Sequence, residues 1–154
     1  MSCRKIAAAA AAALLLSLPA FALDAEQAQR ATETRQGLLK VVGWNFTPLN
    51  AMARGLVPLD AALVERNAQR VAWMATMIPD AFRGDTRAHE LKTEALPVIW
   101  EDFGRFEELA ANAQRSAERL VEVAGGGDEA AIKGAITAVF DDCRACHTAF
   151  RVAR

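Results

Sequence analysis

The sequence predicts an all-α protein folded as an antiparallel four-helix bundle. Three observations carry that expectation. The chain of 154 residues contains no tyrosine, is 53% hydrophobic and is rich in alanine, a composition that favours helix over strand. Its apolar residues recur at steps of three and four in four separate stretches, the spacing that gives each helix one buried face. At two of the junctions a glycine or proline breaker is followed by aspartate, a strong helix cap. Short connections of this kind favour antiparallel neighbours over globin-like crossings.

Residues 1–22 read as a secretory signal peptide and stand outside the bundle. Arg4 and Lys5 form a positive start, and Ile6 to Leu18 form an apolar run too short for a membrane span of ~20 residues. Ala20-Phe21-Ala22 is an A-x-A cleavage site. The mature chain is then expected to be residues 23–154, one domain with a single core, exported to the periplasm. Cys3 is expected to leave with the leader.

The first helix is expected from about Ala25 to Ala53, with Leu38, Leu39, Val42, Phe46, Leu49 and Ala53 on one face. Pro48 removes a backbone donor inside that pattern and predicts a kink or an early end, and Gly55 is a natural terminator. Asp60 caps a second helix from about Ala61 to Met77, in which Met74 and Met77 fit core packing. Pro79 is expected to close it. The stretch 79–96 is polar, irregular and long for a bundle connection, and reads as a crossover. Pro97 opens a third helix with Ile99, Phe103, Phe106, Ala110, Ala117 and Leu120 inside, ended by Gly125-Gly126-Gly127. Asp128 caps the fourth, whose inner seam runs Ile132, Ile136, Val139, Cys143, Cys146, Phe150.

That seam contains the chemistry. Cys143-Arg144-Ala145-Cys146-His147 is a C-x-x-C-H motif, the attachment signature of c-type haem. Each thiol adds to a haem vinyl group to form a thioether, and the two-residue spacing lets both reach one edge of the porphyrin. The adjacent histidine offers an imidazole nitrogen to the iron as axial ligand. A structural zinc site wants four Cys or His ligands, usually as two paired clusters, and outside the motif the chain offers only His89 and Cys3, the latter expected to leave with the leader. A thioredoxin-like site would follow a strand, and no βαβ pattern is visible. A disulfide between two positions of one regular helix aims its side chains poorly. One covalently attached haem c is therefore expected, and since His147 lies four residues beyond Cys143, all three groups should point into the bundle interior. Haem would then form part of the core.

The whole mature sequence resembles the cytochrome c′ family of class II c-type cytochromes. The end of the chain, Cys143-Arg144-Ala145-Cys146-His147-Thr148-Ala149-Phe150-Arg151, is similar to a C-x-x-C-H-x-x-[YF]-R block. Arg35-Gln36-Gly37-Leu38-Leu39 matches R-Q-x-x-[LM], and Ala95-Leu96-Pro97-Val98-Ile99-Trp100 resembles the opening of the third helix. Phe150 stands where tyrosine is commoner. The resemblance implies thioethers at Cys143 and Cys146 and an axial His147. It also implies that Arg35 and Gln36 approach a haem propionate, that Leu39 lies over the distal face of the iron, and that Arg151 lies beside the proximal imidazole.

The sixth coordination position separates the functional classes. Low-spin relatives place a methionine on the first helix, and they carry electrons. Leucine has no lone pair, so Leu39 implies a five-coordinate, high-spin iron open to neutral diatomics such as NO and CO, with or without electron transfer. The alternative is a six-coordinate carrier using His89 or a methionine. A peroxidase-like enzyme is a weaker reading, since an apolar distal face supplies no base; the chain is expected not to be an enzyme. A formal net charge of −1 gives no basic face for nucleic acid, and no second apolar run could span a bilayer. The electron donor or redox partner is not named by the sequence. The resemblance implies a homodimer through the first two helices, with Trp44 an aromatic anchor if it points outward.

Overall fold

The structure, a computed structural model, describes residues 23–153. The expected leader, with Cys3, lies outside the described residues. Helix α1 (Ala25–Ala53) starts at a capping box in which Asp24 accepts from the Gln27 backbone and the Gln27 side chain accepts from the Asp24 backbone. It runs through Pro48 and ends as Gly55 takes φ 71°, a left-handed conformation that glycine adopts at little cost. Helix α2 (Ala61–Phe82) is capped by Asp60, which accepts from the Leu63 N–H at 3.0 Å. A single turn, α3 (Val98–Glu101), precedes α4 (Phe103–Gly125). Asp128 caps α5 (Glu129–Phe150), accepting from the Ala131 N–H at 2.6 Å.

Two boundaries differ from expectation. The second helix continues through Pro79 to Phe82. Proline forfeits one hydrogen bond there, but the extra turn buries Phe82 against Phe106, with ring centroids 4.9 Å apart. The third segment is two helices, because Asp102 leaves helical geometry (φ −129°, ψ 56°) and caps α4 by accepting from the Arg105 N–H. Among the described residues there are thus five helices, four of them long.

α1 packs on α2, α2 on α4, α4 on α5, and α5 closes the ring on α1. With tight turns joining α1 to α2 and α4 to α5, this is the expected four-helix bundle. The α1–α5 seam is the sparsest of the four. Two core clusters fill the interior. One, built on Leu49, Val64, Leu120, Ile132, Ile136 and Val139, has Cys143 packed against it. The other gathers Phe82, Ile99, Phe106 and Phe150, with Cys146 packed against it. The crossover is stitched to the end of α5, where Leu96 N–H donates to the Phe150 carbonyl and Val152 N–H to that of Glu94.

Candidate haem site

The two thiols sit one helical turn apart on α5, at the junction of the two core clusters. Both are free and half-buried. Burial pushes the Cys143 thiol up to about 11, with the Asp142 carboxylate adding to the effect, and burial likewise pushes Cys146 up to about 11. At neutral pH both are S–H groups in the haem-free chain. Asp142 is itself held by the Ser116 hydroxyl of α4, which donates to it.

The expectation that His147 also points inward is corrected: it is exposed. Position 147 is about 40° round the helix from Cys143, enough to carry the imidazole off the packed seam. Leu39 behaves alike on α1. It is 37% exposed, and neither Leu39 nor Leu38 belongs to either core cluster. Leu39 and His147 thus belong to the two helices whose mutual packing is sparsest, and neither is consumed by the core. Two thiols, an adjacent imidazole and a loosely packed seam fit a covalent haem. No group of three or more His, Cys, Asp and Glu among the described residues is placed to hold a metal ion by itself. A cleft of about 540 Å³ lies along α5 beside α3 and the start of α4, but none of Cys143, Cys146 and His147 lines it.

The polar residues have partners in the protein. Arg35 is buried, and its guanidinium is stacked 5.0 Å from the Phe82 ring centroid and 5.3 Å from that of Trp100. Nε donates to the Ala81 carbonyl at 2.7 Å, Nη1 to the Thr86 hydroxyl at 2.9 Å, and Nη2 to the Gly84 carbonyl. It therefore caps the end of α2 from another helix, a role the sequence reading did not foresee. Burial lowers its pKa, and the Asp85 charge opposes that shift. Gln36 donates to the Lys92 carbonyl at 2.8 Å. The crossover thus positions both residues that the resemblance assigns to a propionate. Arg151 Nε donates to Glu94 at 2.7 Å, and its backbone N–H donates to the His147 carbonyl, which ties it to the turn that carries His147. His89 is half-buried, its Nε2 donating to the Leu23 carbonyl at 2.8 Å, so the expected mature chain start is fastened to the crossover.

The methionines divide. Met52 and Met74 are buried, but Met77 is exposed, contrary to its expected core role. It joins Val41, Trp44 and Trp73 in an apolar patch across α1 and α2. The two tryptophans there are 72% and 63% exposed, so Trp44 points outward. The sequence pattern leaves Trp73 unmarked and assigns Met77 to the core, although their neighbours Met74 and Ile78 already satisfy the inner face of the same helix. The Phe82–Trp100 sandwich and the Glu94 partner of Arg151 were equally unannounced, since each is a contact between distant segments.

Bundle and attachment motif together define a class: a four-helix, single-haem c-type cytochrome. The family model for cytochrome c′ matches residues 30–151, and the chain belongs to that family, which carries haem c covalently. It is 34% identical over 145 residues to cytochrome c′ of Cereibacter sphaeroides, covering 93% of this chain and 96% of that protein. It is 31% identical over 150 residues to cytochrome c-554 of the same organism, covering 96% and 97%. Its fold superposes with a TM-score of 0.70 on a nitric oxide complex of a leucine-to-isoleucine variant of cytochrome c′ from Alcaligenes xylosoxidans, at 26% identity and with 80% of this chain and 94% of that one covered.

Proposed function

We propose that the chain is a periplasmic cytochrome whose haem is anchored through thioethers at Cys143 and Cys146, seated between α1 and α5, and ligated by His147. The bound haem supplies an iron that cycles between two oxidation states and takes a diatomic ligand. The protein's part is to hold the porphyrin edge at the junction of the two core clusters and to present hydrocarbon on the side opposite His147. One observation carries this: Leu39, which the resemblance sets over the iron, is 37% exposed and belongs to neither core, and a leucine cannot ligate iron. A five-coordinate, high-spin iron that binds NO or CO follows, and the nitric oxide complex of the similar bundle from Alcaligenes xylosoxidans supports it. An apolar face with no acid or base favours gas binding and electron transfer over catalysis. The absence of any described helix long and apolar enough to cross a membrane is compatible with export as a free domain. The Val41, Trp44, Trp73 and Met77 patch is best accounted for by a second copy of the chain, since two tryptophans left in water are costly.

The test is the spectrum of the purified haem protein with and without CO and NO. A high-spin ferrous form that shifts on adding either gas is expected. A low-spin spectrum indifferent to CO would establish a six-coordinate carrier and refute Leu39 as the distal residue.

A further inference from the structure

Most ion pairs among the described residues join positions within four of each other in the chain. One spans 57 residues: Arg151, at the end of α5, donates to a single carboxylate oxygen of Glu94 in the crossover, from Nε at 2.7 Å and from Nη2. The backbone on either side is paired as well. Val152 N–H donates to the Glu94 carbonyl at 2.8 Å, Leu96 N–H donates to the Phe150 carbonyl at 3.0 Å, and Ala95 and Arg151 form an antiparallel bridge. The segments that carry the two side chains are therefore fixed relative to each other, and the carboxylate is held against the guanidinium.

The Glu94 side chain is 48% exposed and that of Arg151 29%, and an ion pair so open to water adds little to stability. Its place in the fold gives it another use. Arg151 N–H donates to the His147 carbonyl at 3.2 Å, so the arginine sits one helical turn beyond the imidazole. A guanidinium is always charged. Alone on that turn it would set a full positive charge near the iron, and positive charge favours reduced haem over oxidised. We propose that Glu94 is a positioning residue for the haem: its carboxylate fixes the Arg151 guanidinium and cancels its charge, which holds the iron's reduction potential below the value Arg151 alone would set. The proposal rests on His147 as the axial ligand. The resemblance assigns Arg151 to the proximal side but not the glutamate that neutralises it.

The test uses the haem-loaded protein in a redox titration. Glu94→Gln keeps the shape and removes the negative charge. The ferrous-to-ferric ratio at a fixed ambient potential should then rise about two- to fourfold, the effect of one unit charge across roughly 10 Å at an effective dielectric of about 40–80. Arg151→Gln should lower that ratio by a similar factor, and the double variant should return close to the wild type. Glu94→Asp, which keeps the charge, should also stay close. If Glu94→Gln does not accumulate, Glu94→Ala gives the same reading. A pair that only fastens the chain end would move both single variants the same way or not at all. Either result, or any pattern other than opposite shifts of the stated sign, would overturn the proposal. Resonance Raman of the ferrous wild type separates the two failures. If the iron–histidine stretching band is present, and is lost in His147→Ala, while the ratios do not move, the role of Glu94 alone is wrong. If the wild type shows no such band, the axial assignment falls and this inference falls with it.

Discussion

Removing the Arg35 guanidinium should be among the most destabilising single changes outside the apolar core. Arg35→Ala deletes three donors that satisfy the Ala81 carbonyl, the Gly84 carbonyl and the Thr86 hydroxyl, and it empties the slot between Phe82 and Trp100. Hydrogen bonds from a charged donor contribute about 1.5–3 kcal/mol each, and each cation–π contact about 0.5–2 kcal/mol. Against this stands the cost of burying the charge, which takes back a large share of the sum. A net loss of about 3–5 kcal/mol remains, which for a domain of this size is a fall in Tm of roughly 10–20 °C. Arg35→Lys should recover little, because one ammonium cannot serve three acceptors fixed around a planar fork. Urea unfolding followed by far-UV circular dichroism measures the loss. Amide exchange should show protection falling first in the crossover, where the end of α2 is no longer capped. A loss below about 1 kcal/mol for Arg35→Ala would refute the reasoning, since surface arginines fall in that range.

Further outcomes follow from other parts of the structure. Leu39→Ala should speed and tighten CO binding, and Leu39→Met should convert the iron to low spin; visible spectra and stopped-flow CO binding check both. Trp73→Glu places a charge in the exposed α1–α2 patch and should yield monomers by sedimentation with helix content unchanged, whereas unchanged assembly would place the interface elsewhere. In haem-free protein the thiols bind protons more tightly folded than unfolded, so stability should be intact below about pH 9 and decline as pH rises towards about 11, by up to about 1.4 kcal/mol per pH unit per thiol. Denaturant midpoints across that range should show the decline in the haem-free chain and lose it in a Cys143→Ser, Cys146→Ser double variant.

Much of this protein was written locally. The helices follow from periodicity of three and four, and their starts from aspartates whose carboxylates reach N–H groups three residues on: Asp60 to Leu63 and Asp128 to Ala131. The capping box of Asp24 and Gln27 was equally legible, though it went unread. The haem signature needs five consecutive residues on one helix, so a folded partner is not required to recognise it. What only the tertiary structure decided involves groups far apart in the chain. Pro79 failed to end α2 because Phe82 gains a buried aromatic neighbour on α4, and local propensity yields to burial. Arg35 took partners from Ala81 to Thr86, and Trp44 and Trp73 were turned outward because their helices bury other faces. His147 and Leu39 were left outside both cores, His147 only about 40° round its helix from Cys143, a difference that sequence spacing alone could not resolve against the core. Local hydrogen bonding and periodicity therefore fixed the elements and the attachment chemistry. Long-range packing, which weighs one buried face against another, decided which side chains were left outside the cores.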